Sequence, residues 1–221
     1  MLSALEPIPL ENQEPILLTT FFILHSSFFI LHSSFFILHS SFFILMPARL
    51  LDQTFLHRGR VFDVSHDSIE LESGLRAEID IVHHNGGAAV LPLFENGDVL
   101  LVKQYRHPAT EVLTEIPAGR LEPGEDPLLA AERELEEETG WKAGKIEFLT
   151  KFYALPGYST EVLYCYLATD LTPGTTQLDE DEEIHLLRVP FAEALRMVEA
   201  GEIKDAKTMM SVLFTARRMT R

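Results

Sequence analysis

The sequence predicts a mixed α/β fold, and three observations carry the prediction. Between residues 54 and 115, short apolar-rich runs alternate with turn residues, the pattern of strands. At Asp126-Pro127 the spacing becomes helical behind a start signal. Beyond residue 145 two strand-like runs return, and the chain closes with two amphipathic helices. The 221 residues suit one domain of ordinary size plus an appendage, and 46% apolar with 24% charged residues suits a globular protein. A net charge of −16 argues against nucleic acid or an anionic membrane as a general partner. It leaves phosphorylated small molecules open, because a bound cation reverses the local sign. Cys165 is the only cysteine, so neither an internal disulfide nor a cysteine-based zinc site can form. The nine histidines show no HExxH spacing, and a cytoplasmic setting is expected.

Residues 1–45 stand apart. FFILHSS occurs three times without error at 21–27, 28–34 and 35–41, followed by FFIL at 42–45. No charged side chain lies between Thr19 and Met46, a length that could span a bilayer as a helix. Three readings compete. A signal peptide is disfavoured by the acidic residues Glu6, Glu11 and Glu14 ahead of the apolar run. A membrane anchor must tolerate His and Ser at three positions in every seven. Letter-perfect copies point instead to translated repetitive DNA upstream of a start at Met46, the preferred expectation, with 1–45 outside the fold.

From residue 46 to 84 a small antiparallel β-region is expected. TFLHRGRVFDV and SIELESG read as strands separated by a turn at Ser65-His66-Asp67, with another turn at Ser73-Gly74. LRAEIDIVHH sets Leu75, Ala77, Ile79 and Ile81 against Arg76, Glu78 and Asp80, as a half-buried strand does. A second domain, 85–221, opens with GGAAVLPLFENGDVLLVKQYR, read as a hairpin turning at Glu95-Asn96-Gly97-Asp98. TEIPAG then leads a strand into a glycine- and proline-punctuated loop.

Behind that loop Asp126 is a favoured N-cap, Pro127 a favoured first helical residue, and Gly140 a stop. Leu128, Ala131 and Leu135 form the expected buried stripe, with Glu134, Glu137 and Glu138 on another face. Three carboxylates on one helical turn repel one another, and the usual reason to gather them is a hard divalent cation. A solvated acidic face is the bland alternative. Glu125, near the positive end of the helix dipole, is expected to brace the loop, and Arg133 to pair with a carboxylate. KIEFLTKFYA and VLYCYLATDL are two further strands joined by LPGYSTE, and IHLLRVP is another. Helices should start at Pro190, burying Phe191, Ala194, Leu195 and Val198, and after Asp205, burying Met209, Val212, Leu213 and Ala216.

Gly119, Glu125, Arg133, Glu134, Leu135, Glu137, Glu138, Gly140 and Trp141 fill every fixed position of the Nudix box. The chain therefore resembles Nudix hydrolases. The extra β-region, with HHNGGAAVLPL, VKQYRHP and EIPAGRLEPGE, makes residues 54–217 similar to the ADP-ribose pyrophosphatases among them. That resemblance implies an α/β/α sandwich with a mixed sheet, and Mg²⁺-dependent hydrolysis of ADP-ribose to AMP and ribose 5-phosphate, with Mn²⁺ as a substitute ion. It implies a homodimer formed through the N-terminal β-region. It names Glu134, Glu138, Glu182 and the Ala118 carbonyl as metal ligands, and Glu137 as a third ligand or an orienting residue. Aligning on the strand after the acidic run 179–183 gives Glu180 as general base, with its acidic neighbours as alternative registers. Arg106, Pro156 and Glu161 match substrate-contacting positions. Phe62 is the nearest aromatic for stacking the adenine, or else a core aromatic. Surface pairing of Arg106 and a plain turn at Pro156 are the alternatives there. Ile79 and Asn85 depart from the family's Arg and Pro, with Arg76 or Arg60 as replacements. Two rivals stay open: hydrolysis of another nucleoside-diphosphate sugar or dinucleotide, and a module that binds ADP-ribose without cleaving it.

Overall fold

In the computed structural model the described residues are 48–178 and 182–220. The repeat segment 1–45 and Glu180 lie outside them, so the expectations attached to both fall outside the description. In chain order the strands are β1 (Ala48–Arg58), β2 (Asp63–Leu71), β3 (Arg76–His83), β4 (Gly87–Pro92), β5 (Asp98–Arg106), β6 (Glu111–Glu115) and β7 (Ala118–Arg120). Helix α1 (Pro127–Thr139) follows, then β8 (Trp141–Tyr153), β9 (Val162–Pro173), β10 (Ile184–Pro190), α2 (Phe191–Glu199) and α3 (Ala206–Met219). Among the described residues no helix is long and apolar enough to cross a membrane.

β1, β2 and β3 make an antiparallel sheet in that order. Its first turn is not where the polar trio suggested. The chain reverses at Gly59–Phe62, and Ser65, His66 and Asp67 lie inside β2, paired with Phe55, Thr54 and Gln53. The trio stays in the strand because cross-strand partners satisfy it: Ser65 meets His83, Gln53 donates to Asp67, and His66 meets Asp80. β3 shows the expected alternation, but Leu75 precedes it and is exposed.

The central sheet has the order β7-β4-β9-β8, with β4 and β9 parallel and the other pairs antiparallel. The expected β4–β5 hairpin is half right. The turn closes, with Gly97 N–H donating to Phe94 O, but beyond one bridge at Leu93–Val99 the strands part into different sheets. Every residue of β4 is buried, and such a strand needs ladder partners on both edges. It takes β7 and β9, while β5 sits between β10 and β6.

Alternation along β4 and β9 builds the layers. Ala88, Val90, Tyr166 and Ala168 pack with Ala130, Ala131 and Leu135 of α1. Ala89, Leu91, Cys165 and Leu167 face the other way, onto Ala194 and Val198 of α2 and Val212 of α3. The result is the expected α/β/α sandwich. α2 buries Ala194 and Val198 as read, whereas α3 is rotated from expectation. Its buried face is Lys207, Thr208, Ser211, Val212 and Thr215, and Leu213 is exposed. The rotation is fixed by polar contacts: Ile116 N–H donates to Thr208 Oγ1 at 2.8 Å, and Lys207 reaches the buried Glu115.

Candidate active site

The helix that carries the glutamates begins as its sequence dictates. The Asp126 side chain accepts from Leu128 N–H at 2.8 Å, Pro127 opens the first turn, and Gly140 ends the helix at φ 70°. The preceding loop is closed by Glu125, which accepts from Glu122 N–H at 2.9 Å. Arg133 fastens loop to helix. It donates to both oxygens of Glu125 at 3.1 and 3.2 Å, to Glu134 at 2.7 Å and to Glu137 at 2.9 Å. One guanidinium thus holds three carboxylates, more than the single pairing expected. β7 runs directly beneath: a Cβ on Gly119 would overlap the Glu134 carboxylate, so any other residue there would push that side chain from its place.

Glu138 departs from expectation. Glu134 and Glu137 lie off the apolar stripe, but Glu138 joins it, since 131, 135 and 138 follow i, i+4, i+7. Leu128, assigned to that stripe, is 37% exposed. Glu138 is 5% exposed, and its Oε2 accepts from Ala118 N–H at 3.2 Å. Burial, reinforced by the neighbouring Glu134 charge, pushes its carboxyl up to about 8. Burial likewise raises Glu134, against the pull of Arg133, with Glu137 and Glu182 adding to the rise. Glu134, Glu137, Glu138 and Glu182 therefore act on one electrostatic site beside Ala118.

Among the described residues no three His, Cys, Asp or Glu side chains converge as a ready metal cluster. Arg133 draws Glu134 and Glu137 to itself. The donor chemistry nevertheless fits a hard divalent cation. The groups are carboxylate oxygens, and burial and like charge disfavour the ionised forms of Glu134 and Glu138, a penalty that a cation of Mg²⁺ type would relieve.

The other predicted residues divide between two neighbourhoods. Arg106, near the end of β5, donates to both carboxylate oxygens of Glu115 at 2.8 and 2.9 Å. Glu115 is buried and also bonds Lys207, whose ammonium donates to Asp205 at 3.0 Å. Burial opposes ionisation of Glu115, but the hydrogen bonds from Arg106 and the charge of Lys207 outweigh it and lower the carboxyl to about 2. Sequence reading missed Glu115 and Lys207. The available signal was a charge at the end of β6, immediately before Ile116-Pro117.

Phe62, 44% exposed, lines a cavity of about 430 Å³ together with Arg60, His83, His84, Asn85 and Thr160. Glu161 flanks it, 3.7 Å from His84 Nδ1. Pro156 lies in the β8–β9 loop, which is tied to β3 through Val82 N–H donating to Tyr158 O and Thr160 N–H donating to Val82 O. Arg120 donates to Arg60 O at 2.6 Å, and Asn85 Nδ2 to Leu121 O at 3.4 Å, joining this cavity to the glycine loop.

The chain is similar to known proteins in sequence and in fold. A NUDIX domain model matches residues 83–211. The chain is 40% identical over 158 residues to an ADP-ribose pyrophosphatase of Bacillus subtilis, covering 71% of this chain and 85% of the relative. It is 39% identical over 158 residues to a methanol dehydrogenase activator of Bacillus methanolicus, with the same coverage of each chain. In fold it is similar to a crystal structure of an ADP compounds hydrolase, at a TM-score of 0.70 and 24% identity over 80% of this chain and 96% of that one. With the family model spanning more than half of its length, the chain belongs to the Nudix family.

Proposed function

We propose that this protein hydrolyses the pyrophosphate bond of ADP-ribose, giving AMP and ribose 5-phosphate. The observation that carries the reading is the buried Glu138, held by Ala118 N–H beside Glu134 with its ionised form disfavoured. A carboxylate kept under such strain is the mark of a site that takes up positive charge. Mg²⁺, with Mn²⁺ as substitute, is the expected ion; when bound it neutralises the pyrophosphate and acidifies an attacking water. Glu134, Glu138, Glu182 and the Ala118 carbonyl are assigned to hold it, and Glu137 to orient them. The water oxygen bonds to one phosphorus, the bridging P–O bond breaks, and the water's proton passes to Glu180 as general base. Arg106 is assigned to the phosphates, Glu161 and the Pro156 loop to the terminal ribose, and Phe62 to the adenine face.

ADP-ribose is favoured over other nucleoside-diphosphate sugars and dinucleotides by the Bacillus subtilis relative. The intact trio Glu134, Glu137 and Glu138 speaks against a module that binds without cleaving. The residues 46–84 are read as a dimerisation region of a cytoplasmic homodimer. Kinetics with Mg²⁺ against ADP-ribose, other sugar nucleotides and NADH test the substrate. A tenfold preference for another substrate in kcat/KM, about 1.4 kcal/mol, would sink the assignment.

A further inference from the structure

The cavity beside the glycine loop has a histidine whose hydrogen-bonding state is fixed from behind. His83 lines it, and its Nε2 lies 2.8 Å from Ser65 Oγ. Ser65 is fully buried, and its hydroxyl donates to Asp67 Oδ1. Asp67, 4% exposed, also accepts from Gln53 Nε2 at 3.1 and 3.0 Å. A carboxylate only accepts, and a hydroxyl has one proton to give. With that proton committed to Asp67, Ser65 can meet His83 only as an acceptor, so Nε2 carries the ring hydrogen. In a neutral imidazole the other nitrogen, Nδ1, is then an acceptor. Residues from β1, β2 and β3 thus set one tautomer at the cavity wall.

We infer that His83 is a specificity-determining residue that offers Nδ1 to the 6-amino group of the substrate's base, and so selects adenine over a 6-oxopurine. Adenine carries an amino donor at its 6-position, where guanine carries a carbonyl acceptor. An acceptor facing that edge gains a hydrogen bond with the first and meets a lone pair with the second. Phe62 gives the same cavity a ring for the base face, and Arg120 and Asn85 tie the cavity to the loop that leads into α1. Arg120 follows Gly119, which lies against the Glu134 carboxylate, so the cavity and the glutamates are joined through one short stretch of β7. The inference rests on the proposed reading of the substrate as a nucleoside-diphosphate sugar.

The test compares ADP-ribose with IDP-ribose, which exchanges the 6-amino group for a carbonyl. The wild-type protein should favour ADP-ribose in kcat/KM. His83→Ala should shrink that preference about threefold to tenfold, the worth of one neutral hydrogen bond, mostly through the ADP-ribose arm. Ser65→Ala, which leaves the ring in place but frees its tautomer, should shrink it part of the way. A merely structural role for His83 would lower both substrates together and leave the ratio fixed, and that result overturns the inference. So does a wild-type protein that shows no preference, a result that needs no variant to fold. Should the protein cleave neither compound, the proposed function fails separately. Calorimetry with AMP and IMP then decides His83: tighter AMP binding that is lost in His83→Ala supports it, and equal binding refutes it.

Discussion

Glu115, at the end of β6, and Glu138, on α1, are both buried carboxylates, and they are held in opposite ways. Glu115 is 1% exposed and meets two cations, Arg106 and Lys207, with Asp205 completing a network of two positive and two negative charges. Glu138 is 5% exposed and has a backbone N–H, a like-charged neighbour in Glu134, and only the through-space attraction of Lys207 and Arg106. Burial penalises both; cations outweigh it for the first and nothing does for the second. A buried charge that is compensated locks elements together, whereas one left uncompensated marks a place where a cation belongs. The distinction is local: Lys207 sits in α3 and bonds Glu115, whereas Glu138 of α1 feels its charge only through space.

Replacing Glu138 should give the largest effect and the clearest break between the two. Glu138→Gln is expected to cut turnover on the order of a hundredfold or more, because the proposed cation anchor is lost. Its melting temperature should hold or rise, because a costly charge is removed. Steady-state kinetics and a thermal melt check both, and retained turnover with a lowered melting temperature would reverse the roles drawn above. Lys207→Met should do the converse. Leaving Glu115 with Arg106 alone is expected to cost about 3 kcal/mol in urea unfolding, the scale of breaking a buried pair. A loss below about 1 kcal/mol would show that the network is not compensated as described.

Acid separates the pair further. The folded carboxyl of Glu115, at about 2, lies below its ordinary value of 4.5, so the folded state binds fewer protons than the unfolded chain. Its contribution is present above pH 4.5 and is lost as the pH falls toward about 2, with a ceiling of about 3 kcal/mol. Glu138 has the opposite sign. In metal-free protein its contribution is present below pH 4.5 and is lost as the pH rises through about 8. Urea unfolding across this range should show a slope on the acid side that flattens in Glu115→Gln and one on the neutral side that flattens in Glu138→Gln.

What was legible in the sequence follows the range of the interactions. Asp126, Pro127 and Gly140 act on their own turns of helix, and the structure keeps all three roles. The closeness of the three glutamates could be read from spacing alone, because i, i+3 and i+4 fix neighbours on a helix. That Glu138 rather than Leu128 completes the buried stripe could not, because the choice depends on how α1 rolls on Ala88 and Val90. Lys207 and Glu115 lie 92 positions apart, and no local pattern predicts their meeting. The β4–β5 turn was legible from Glu95-Asn96-Gly97-Asp98. The parting of the strands was not, since β4 finds its parallel partner β9 about 75 residues later.

Two N-caps offer the smallest and most selective test. Asp126 caps α1 through one bond, to Leu128 N–H, from an exposed position. Asp205 caps α3 through Thr208 N–H at 3.0 Å, but it also accepts from the Thr208 hydroxyl and from Lys207. Asp126→Ala should therefore cost about 1 kcal/mol, the ordinary worth of a cap. Asp205→Ala should cost about 2 kcal/mol or more, because it also strips one of the two carboxylates that balance a buried ammonium. Urea unfolding of both variants, and of each combined with Lys207→Met, measures the difference. If Asp205 belongs to the charge network, its loss in the Lys207→Met background should shrink toward that of Asp126, which should not change. Equal losses in both backgrounds would reduce Asp205 to a cap and leave Glu115 as the only anion that Lys207 serves.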